Sequence, residues 1–501
     1  MSSKISRRWF IGGLASFGAF GGNRLFCASA KTFTGGKPNL SFGVVSDVHV
    51  RLGPTGTGFA KDHDTSTFIH TLEWFRDQKA DAVMIVGDIA DKGLVDELQF
   101  VADAWFKVFP NDKAPDGRHV QRLFVYGNHD YEGFRYGDYA KKIWADETER
   151  AKHVLHTDQK ANWERIFHEE YSPIMRWDVN GYTFVGGHWT ADRCRAKDET
   201  GIGGVEEFFA ANANIFDPKK PFFYFQHPHP KDTCYGSWAW GHDDGRATRA
   251  LSAFSNAIAF SGHSHTTLTH DQSIWQGAFT SLGTSSLRYT GGAYAKTRLP
   301  MGYENGGGAA EFDANKIQGG YGSTMDGRQG MLVRVYDSHV TFTRREFVYD
   351  QTLGPDWVVP LGRDAARPYA FESRRLASQP PQFAAGASVD VVDRPDGKNR
   401  KGESCAQVVV AFPSAAGERV YDYEVTAEVR IADFVRTVAS KRVFSPDAFL
   451  GAPQDSGKVT CVFAKGELPI GRDVRFAVRP FNCWGKGGEP IASEFRGFQK
   501  S

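Results

Sequence analysis

Between residues 40 and 350 the chain alternates short apolar runs with amphipathic stretches. Leu40–Ser46 reads as an apolar strand ending at Asp47, and Ala82–Val86, Leu123–Tyr126, Tyr182–Val185, Phe222–Phe225 and Ala257–Phe260 repeat the pattern. Short apolar runs bounded by turn residues predict buried strands. Asp64 or Thr65 can cap a helix that places Phe68, Leu72 and Phe75 on one face, and Val95–Lys107 predicts a second helix. Further strands are predicted over Met331–Tyr336 and Val340–Arg345. Strands that alternate with helices predict an α/β layer architecture. The connection Tyr131–Asn180 is long and charged and predicts partly helical structure, either a lid beside a site or a solvated decoration. Tyr289–Gly330 is glycine-rich and predicts a surface loop.

The pattern changes near Ser378-Gln379-Pro380-Pro381, which predicts a linker. Beyond it come seven short alternating runs: Val389–Val392, Ala406–Phe412, Tyr421–Ile431, Thr437–Phe444, Val459–Phe463, Val474–Val478 and Ala492–Phe498. Short strands at this spacing predict a β-sandwich. The segment Leu468–Asn482, followed by Trp484-Gly485, resembles the penultimate strand of a fibronectin type III domain, with Val474 where that family carries its corner tyrosine. The expected division is a leader over 1–30, an α/β domain over 31–375 and a sandwich over 376–501.

Composition adds the leader and little else. Ser6-Arg7-Arg8-Trp9-Phe10-Ile11 resembles the twin-arginine export motif, a glycine-broken apolar stretch follows, and Ala28-Ser29-Ala30 offers small residues for cleavage. The apolar stretch is shorter than the ~20 residues a membrane span needs. The expected destination is the periplasm or the exterior, with no membrane span after leader removal. The formal charge is +1; without Lys4, Arg7, Arg8 and Arg24, 56 basic residues face 59 acidic ones, near −3. Neither value suggests a nucleic-acid partner. The mature chain keeps Cys194, Cys234, Cys405, Cys461 and Cys483, an odd number with no C-x-x-C pair, which speaks against a thiolate zinc site. In a fibronectin-like sandwich Cys405 and Cys461 fall on neighbouring strands and are the expected disulfide, with Cys194–Cys234 as a second.

The chemistry lies at the strand ends. Asp47-Val48-His49, Gly87-Asp88, Gly127-Asn128-His129-Asp130, His227 and Gly262-His263-Ser264-His265 follow one another, most of them just past a predicted strand. Open α/β sheets place their ligands at that end. Asp47, His49, Asp88, Asn128, His227, His263 and His265 supply oxygen and imidazole ligands suited to two divalent ions sharing one carboxylate, with His129 to spare. Two metals about 3.5–4 Å apart can activate water and clamp a phosphoryl group. In Gln226-His227-Pro228-His229-Pro230 either histidine can be the ligand; His227 is preferred because it lies nearer the strand end.

This ordered set resembles the calcineurin-like metallophosphoesterase superfamily, over roughly residues 40 to 350. The resemblance implies two β-sheets flanked by helices, with the all-β sandwich appended. It also implies that one metal takes Asp47, His49, Asp88 and His265, and the other Asp88, Asn128, His227 and His263. His129 then faces the leaving group, Asp130 orients its ring and favours its protonated form, and a metal-bound hydroxide attacks. The metals can be manganese, iron or zinc. Purple acid phosphatases carry a tyrosine ligand where this chain has Asp91, and the first motif here includes His49. The pattern is therefore closer to the cyclic-nucleotide and glycerophosphodiester phosphodiesterase branch.

The expected protein is an exported phosphoesterase acting on a small-molecule phosphate ester, preferably a diester. The alternatives are a phosphomonoesterase or nucleotidase of the same fold, or a secreted binding protein with a vestigial metal site. His188, His229, His242, Trp189, Tyr235, Trp238, Trp240, Arg193, Arg195 and Lys231 lie near the motifs, with structural or solvent roles expected. The sandwich carries no catalytic motif and is expected to be dispensable for turnover of a small ester.

Overall fold

The structure, a computed structural model, describes residues 36–50, 63–190, 201–236, 241–288, 290, 328–348, 350–362, 364–398, 403–417, 419–445, 458–469 and 471–498. The expected leader, most of the glycine-rich loop, Cys194, Arg193, Arg195, Trp238 and Trp240 lie outside these residues. No helix among the described residues is long and apolar enough to cross a membrane.

The first fifteen strands in chain order are β1 (Leu40–Val45), β2 (Ala82–Val86), β3 (Gln121–Val125), β4 (Ile174–Val179), β5 (Tyr182–Gly187), β6 (Trp189–Thr190), β7 (Gly201–Ile202), β8 (Phe222–Gln226), β9 (Ala257–Ser261), β10 (Ile274–Gln276), β11 (Thr280–Gly283), β12 (Gln329–Val335), β13 (His339–Glu346), β14 (Gln351–Thr352) and β15 (Trp357–Pro360). One sheet has the order β14-β13-β12-β1-β2-β3, with β15 also on β13; the other runs β10-β11-β9-β8-β5-β4. In each the central strands are parallel: β1, β2 and β3 in one, and β5, β8, β9 and β11 in the other. Antiparallel strands flank the parallel ones on both sides of the second sheet and on the β12 side of the first, where β3 is a parallel edge.

The apolar runs are continuous because both faces are buried. Leu40, Phe42 and Val44 point into the seam between the sheets, where Phe42 meets Phe184, Phe223 and Phe260 at 5.1, 4.9 and 5.9 Å. Val45, Val83, Ile85 and Phe124 belong to the other core, beneath α1 (His63–Asp77) and α2 (Val95–Val108), with Phe68, Leu72, Phe75 and Trp105. Burying one such side chain contributes about 1.5–3 kcal/mol. Strand β4, inside the connection expected to be partly helical, is an edge strand whose Met175, Trp177 and Val179 point inward while Arg176 and Asp178 face water.

The long connection after β3 is helical: α3 (Asn128–Glu132), α4 (Asp138–Ala145), α5 (Glu147–His153) and α6 (Gln159–Phe167). Asp146 caps α5 and Asp158 caps α6. Its first part packs Phe134, Ala140 and Val154 with Leu94, the residue before α2, into a small core, with Phe134 stacked on Trp144 at 4.0 Å. By contrast, α6 sends Trp163 and Phe167 into the main core. On the second sheet α7 (Val205–Ala211) and α8 (Arg246–Leu251) cover the outer face through Phe209, Ala247 and Leu251.

A short helix, α9 (Phe371–Ala377), leads into the C-terminal strands β16 (Asp390–Arg394), β17 (Gln407–Phe412), β18 (Asp422–Ile431), β19 (Phe434–Phe444), β20 (Val459–Ala464), β21 (Asp473–Phe481), β22 (Ile491–Ala492) and β23 (Arg496–Gly497). They form a β16-β17-β20 sheet and a β19-β18-β21-β22 sheet, with β23 on β21. The inward residues of both share one core, among them Val408, Val410, Phe463, Tyr423, Val425 and Phe476. The expected Cys405–Cys461 disulfide is absent. The β17–β20 register sets Val410 opposite Cys461, while Cys405 precedes the pairing that starts at Gln407 and Ala464. Cys234 is a free, buried thiol.

Pro38–Ser501 forms one compact unit. The C-terminal strands touch the segment that follows the last histidine motif. Gln272 Nε2 donates to the Cys483 carbonyl at 2.8 Å, and the His270 ring meets Tyr421 edge-on at 4.6 Å. Phe371 of α9 packs against Trp484 at 5.3 Å.

Candidate metal centre

The parallel strands of both sheets end at one rim, and the motif residues sit there. Asp47 and His49 follow β1, Asp88 follows β2, Asn128 opens α3 after β3, His227 follows β8, and His263 and His265 follow β9. Beyond the strands, main-chain bonds continue the β1–β2 pairing: Asp47 N–H to Gly87 O at 3.0 Å, His49 N–H to Asp88 O at 2.9 Å and Val50 N–H to Ile89 O at 3.0 Å. Asp47, His49, Asp88, His263 and His265 all have left-handed backbone, with φ of 52°, 45°, 50°, 67° and 53°. Such a conformation costs a non-glycine residue on the order of 1–3 kcal/mol and persists only where its surroundings impose it. The glycines of the motifs clear the room. A Cβ on Gly127 would collide with Asp88 Oδ1, and one on Gly262 with Asp47 Oδ2.

Two groups of ligand atoms share Asp88: Asp47, His49, Asp88 and His265, and Asp88, His227 and His263; a third brings together His49, Asp91 and His129. Asp88 accepts the His129 N–H on Oδ1 at 2.7 Å, while Oδ2 faces His227 Nε2 at 3.0 Å and His49 Nε2 at 3.6 Å. Asp47 is fixed through Oδ2 by the His263 N–H at 3.0 Å, and Oδ1 faces His265 Nε2 at 2.9 Å. His227 donates from Nδ1 to the Val86 carbonyl at 2.8 Å, which turns Nε2 inward. His229 lies outside both groups, its ring nitrogens held by Ser261 and Ser264 at 2.6 and 2.8 Å.

This donor set fits two divalent ions. His227 Nε2 faces His263 Nδ1 at 3.1 Å, and His49 Nε2 faces His265 Nε2 at 3.3 Å, contacts that at most one proton each can bridge. Asn128 Oδ1 is buried and has no hydrogen-bond partner among the described residues. Buried polar atoms without partners are otherwise rare. The electrostatics agree. Burial opposes charge on Asp47 and Asp88, yet the surrounding imidazoles hold both well below the usual carboxylate range. Burial likewise pushes His49 and His227 down, but the carboxylates outweigh it and raise each to about 9. A cation can take the place of those protons.

His129 and Asp130 require a correction. The Asp130 carboxylate does not touch the His129 ring. It accepts the main-chain N–H groups of Ile89, Ala90 and Gly127 at 3.1, 2.7 and 2.7 Å, and so ties the β2 and β3 loops together. An aspartate at the third position of a helix folds back onto the helix start rather than onto its neighbour's ring. The His129 ring is held instead by the Asp91 carbonyl, at 2.8 Å from Nδ1, and by Tyr136 stacked at 4.8 Å. Nor is its protonated form favoured in the free protein, where burial pushes the ring down to about 4.

Asp91, Arg288 and Tyr136 are the site residues that sequence reasoning passed over. Asp91 is three residues after Asp88 and was weighed only as the absence of a tyrosine. Arg288, which reaches the His49 carbonyl at 3.0 Å, has no motif around it. Of the neighbours considered, His188 is buried and accepts the Tyr126 N–H at 3.1 Å, and His242 bonds the Cys234 carbonyl at 2.8 Å. Trp189 lies 6.2 Å from His263.

No curated protein matches the chain. Among solved structures, the chain is similar to a dimetal phosphatase from Danio rerio, with 10% identity, 65% of this chain and 100% of that one covered, and a TM-score of 0.37. It is also similar to the purple acid phosphatase PPD1 from yellow lupin (Lupinus luteus), with 13% identity, 64% and 55% covered, and a TM-score of 0.38. These likenesses are too distant to carry a substrate or a metal to this chain. Residues 40–267, a span that holds all seven ligand positions, match the model of the calcineurin-like phosphoesterases.

Proposed function

We propose that the protein is an exported, binuclear-metal-dependent phosphoesterase that prefers phosphodiesters. The observation that carries this reading is the sharing of Asp88 by two convergent ligand groups. When bound, two divalent ions supply a nucleophile at neutral pH and neutralise charge that develops on a phosphoryl group. The chain contributes position. With Nδ1 engaged by the Asp91 carbonyl, His129 has Nε2 left for substrate. An anionic phosphate nearby favours the charged imidazole, which can then pass a proton from Nε2 to the departing alkoxide or bond a phosphoryl oxygen.

Two features support the diester. His49 stands in the first motif and no tyrosine stands at position 91. Arg288 and Lys92 both direct their charge to Asp91, at 2.9 Å each, rather than to a second anionic oxygen of a monoester. Export rests on Arg7-Arg8 and the residues around them, and the division at 30 and 375, with a fibronectin type III-like end, rests on the change of pattern. The test is turnover of bis-p-nitrophenyl phosphate against p-nitrophenyl phosphate by metal-analysed protein, with and without manganese. Faster monoester turnover overturns the diester preference; no turnover of either by protein holding two metals overturns the enzyme.

A further inference from the structure

The two histidines nearest Asp88 are backed by different groups. His227 rests on a neutral main-chain carbonyl, that of Val86, at 2.8 Å. His49 turns Nε2 toward Asp47, Asp88 and His265, and its Nδ1 lies 3.2 Å from Asp91 Oδ1. Asp91 is buried and is itself held on three sides. Oδ1 pairs with Arg288 Nη1 at 2.9 Å, Oδ2 pairs with Lys92 Nζ at 2.9 Å, and its N–H donates to the Val50 carbonyl at 2.8 Å. Arg288 also donates to the His49 carbonyl at 3.0 Å, so it fixes Asp91 and the main chain of the ligand together. The Asp91 carbonyl meanwhile receives His129 Nδ1.

A carboxylate behind a ligand imidazole fixes its tautomer and raises its basicity, and its loss typically weakens metal binding about 10–100-fold. A carbonyl fixes the tautomer with less charge. We propose that Asp91, held by Arg288, is a positioning residue that strengthens metal binding selectively in the half of the centre containing His49. This rests on the binuclear reading above. The Asp91 side chain lies closer to His49, at 3.2 Å from Oδ1, than to His129 Nδ1, at 3.9 Å, and the nearer hold on the His129 ring is the Asp91 carbonyl, at 2.8 Å.

The experiment is calorimetric titration of metal-free protein with Mn²⁺, together with metal content after gel filtration. The wild type should bind two equivalents. Asp91→Asn keeps the shape and removes the charge. It should weaken one equivalent about 10–100-fold and leave the other within roughly threefold. Arg288→Gln should weaken the same equivalent by less, and it decides the matter if Asp91→Asn does not fold. Equal weakening of both equivalents, or of neither, in a protein whose wild type binds two overturns this inference alone. A wild type that binds one ion overturns the binuclear reading with it.

Discussion

The metal-site rim and the C-terminal sandwich are both built on strands with buried, alternating side chains, but they use the strand ends differently. At the rim, five ligand residues leave their strands in left-handed backbone, and two aspartates are buried among imidazoles. In the sandwich, Ala432 at the β18–β19 turn is the one described non-glycine residue with such backbone, and the buried Asp422 pairs directly with Arg442. Regular strands satisfy their polar groups along the ladder. Strained strand ends with convergent carboxylates are stable only when the surroundings hold them, and they cluster where chemistry is done. The rim and the sandwich therefore differ in backbone strain and in how their buried carboxylates are paired, and the clustered ligands lie at the rim.

The largest way to break that contrast is Asp88→Asn, because both ligand groups share this carboxylate. Metal content and phosphoesterase rate should fall together, the rate by about 10³-fold or more, at least the scale of removing one preorganised electrostatic group. Metal analysis beside turnover checks it; two bound metals with normal turnover would falsify the shared-carboxylate assignment.

His129→Gln should cost less, about 10²–10⁴-fold if the ring acts as a general acid, with both metals retained. Gln cannot deliver a proton, so the loss should grow for esters with poorer leaving groups. A uniform loss across a leaving-group series points to phosphoryl binding, and an unchanged rate removes His129 from the chemistry.

Much of this contrast was legible in the sequence. Continuous apolar runs announced the central strands because strands buried on both faces need no polar alternation, and Leu40–Val45, Ala82–Val86 and Ala257–Ser261 fall within a residue of expectation. The motif glycines were legible as punctuation, though not as the clearance Gly127 and Gly262 provide for Asp88 and Asp47. What stayed hidden depends on distant contacts. Arg288 meets Asp91 across 197 positions of chain, and nothing local to either residue announces the pair. Asp130 was misread because the resemblance implied that it orients the His129 ring, whereas the helix start turns its carboxylate toward main-chain N–H groups. Cys405 and Cys461 were misread because neighbouring strands do not by themselves set residues in register.

The smallest expected effect sharpens the comparison at its boundary. A sandwich without ligands was expected to be dispensable, yet the segment just after His265 leans on it. Gln272 bonds the Cys483 carbonyl, His270 packs against Tyr421, and Arg374 bonds the Asp271 carbonyl and lies over the Trp484 ring at 5.4 Å. Tyr421→Ala removes one wall of this contact and leaves every ligand in place. Loss of one packed aromatic contact is worth about 0.5–1.5 kcal/mol beyond its buried area, so thermal stability should fall measurably. Turnover of bis-p-nitrophenyl phosphate should change by no more than about threefold, because a contact this far behind His263 and His265 touches neither ligand, and distant, unshared contacts act nearly independently. The check is thermal unfolding, metal content and turnover on the same preparation. A folded, fully metallated Tyr421→Ala protein with turnover down a hundredfold would mean that the sandwich helps set the ligand loop, and the division of labour between rim and sandwich would be wrong.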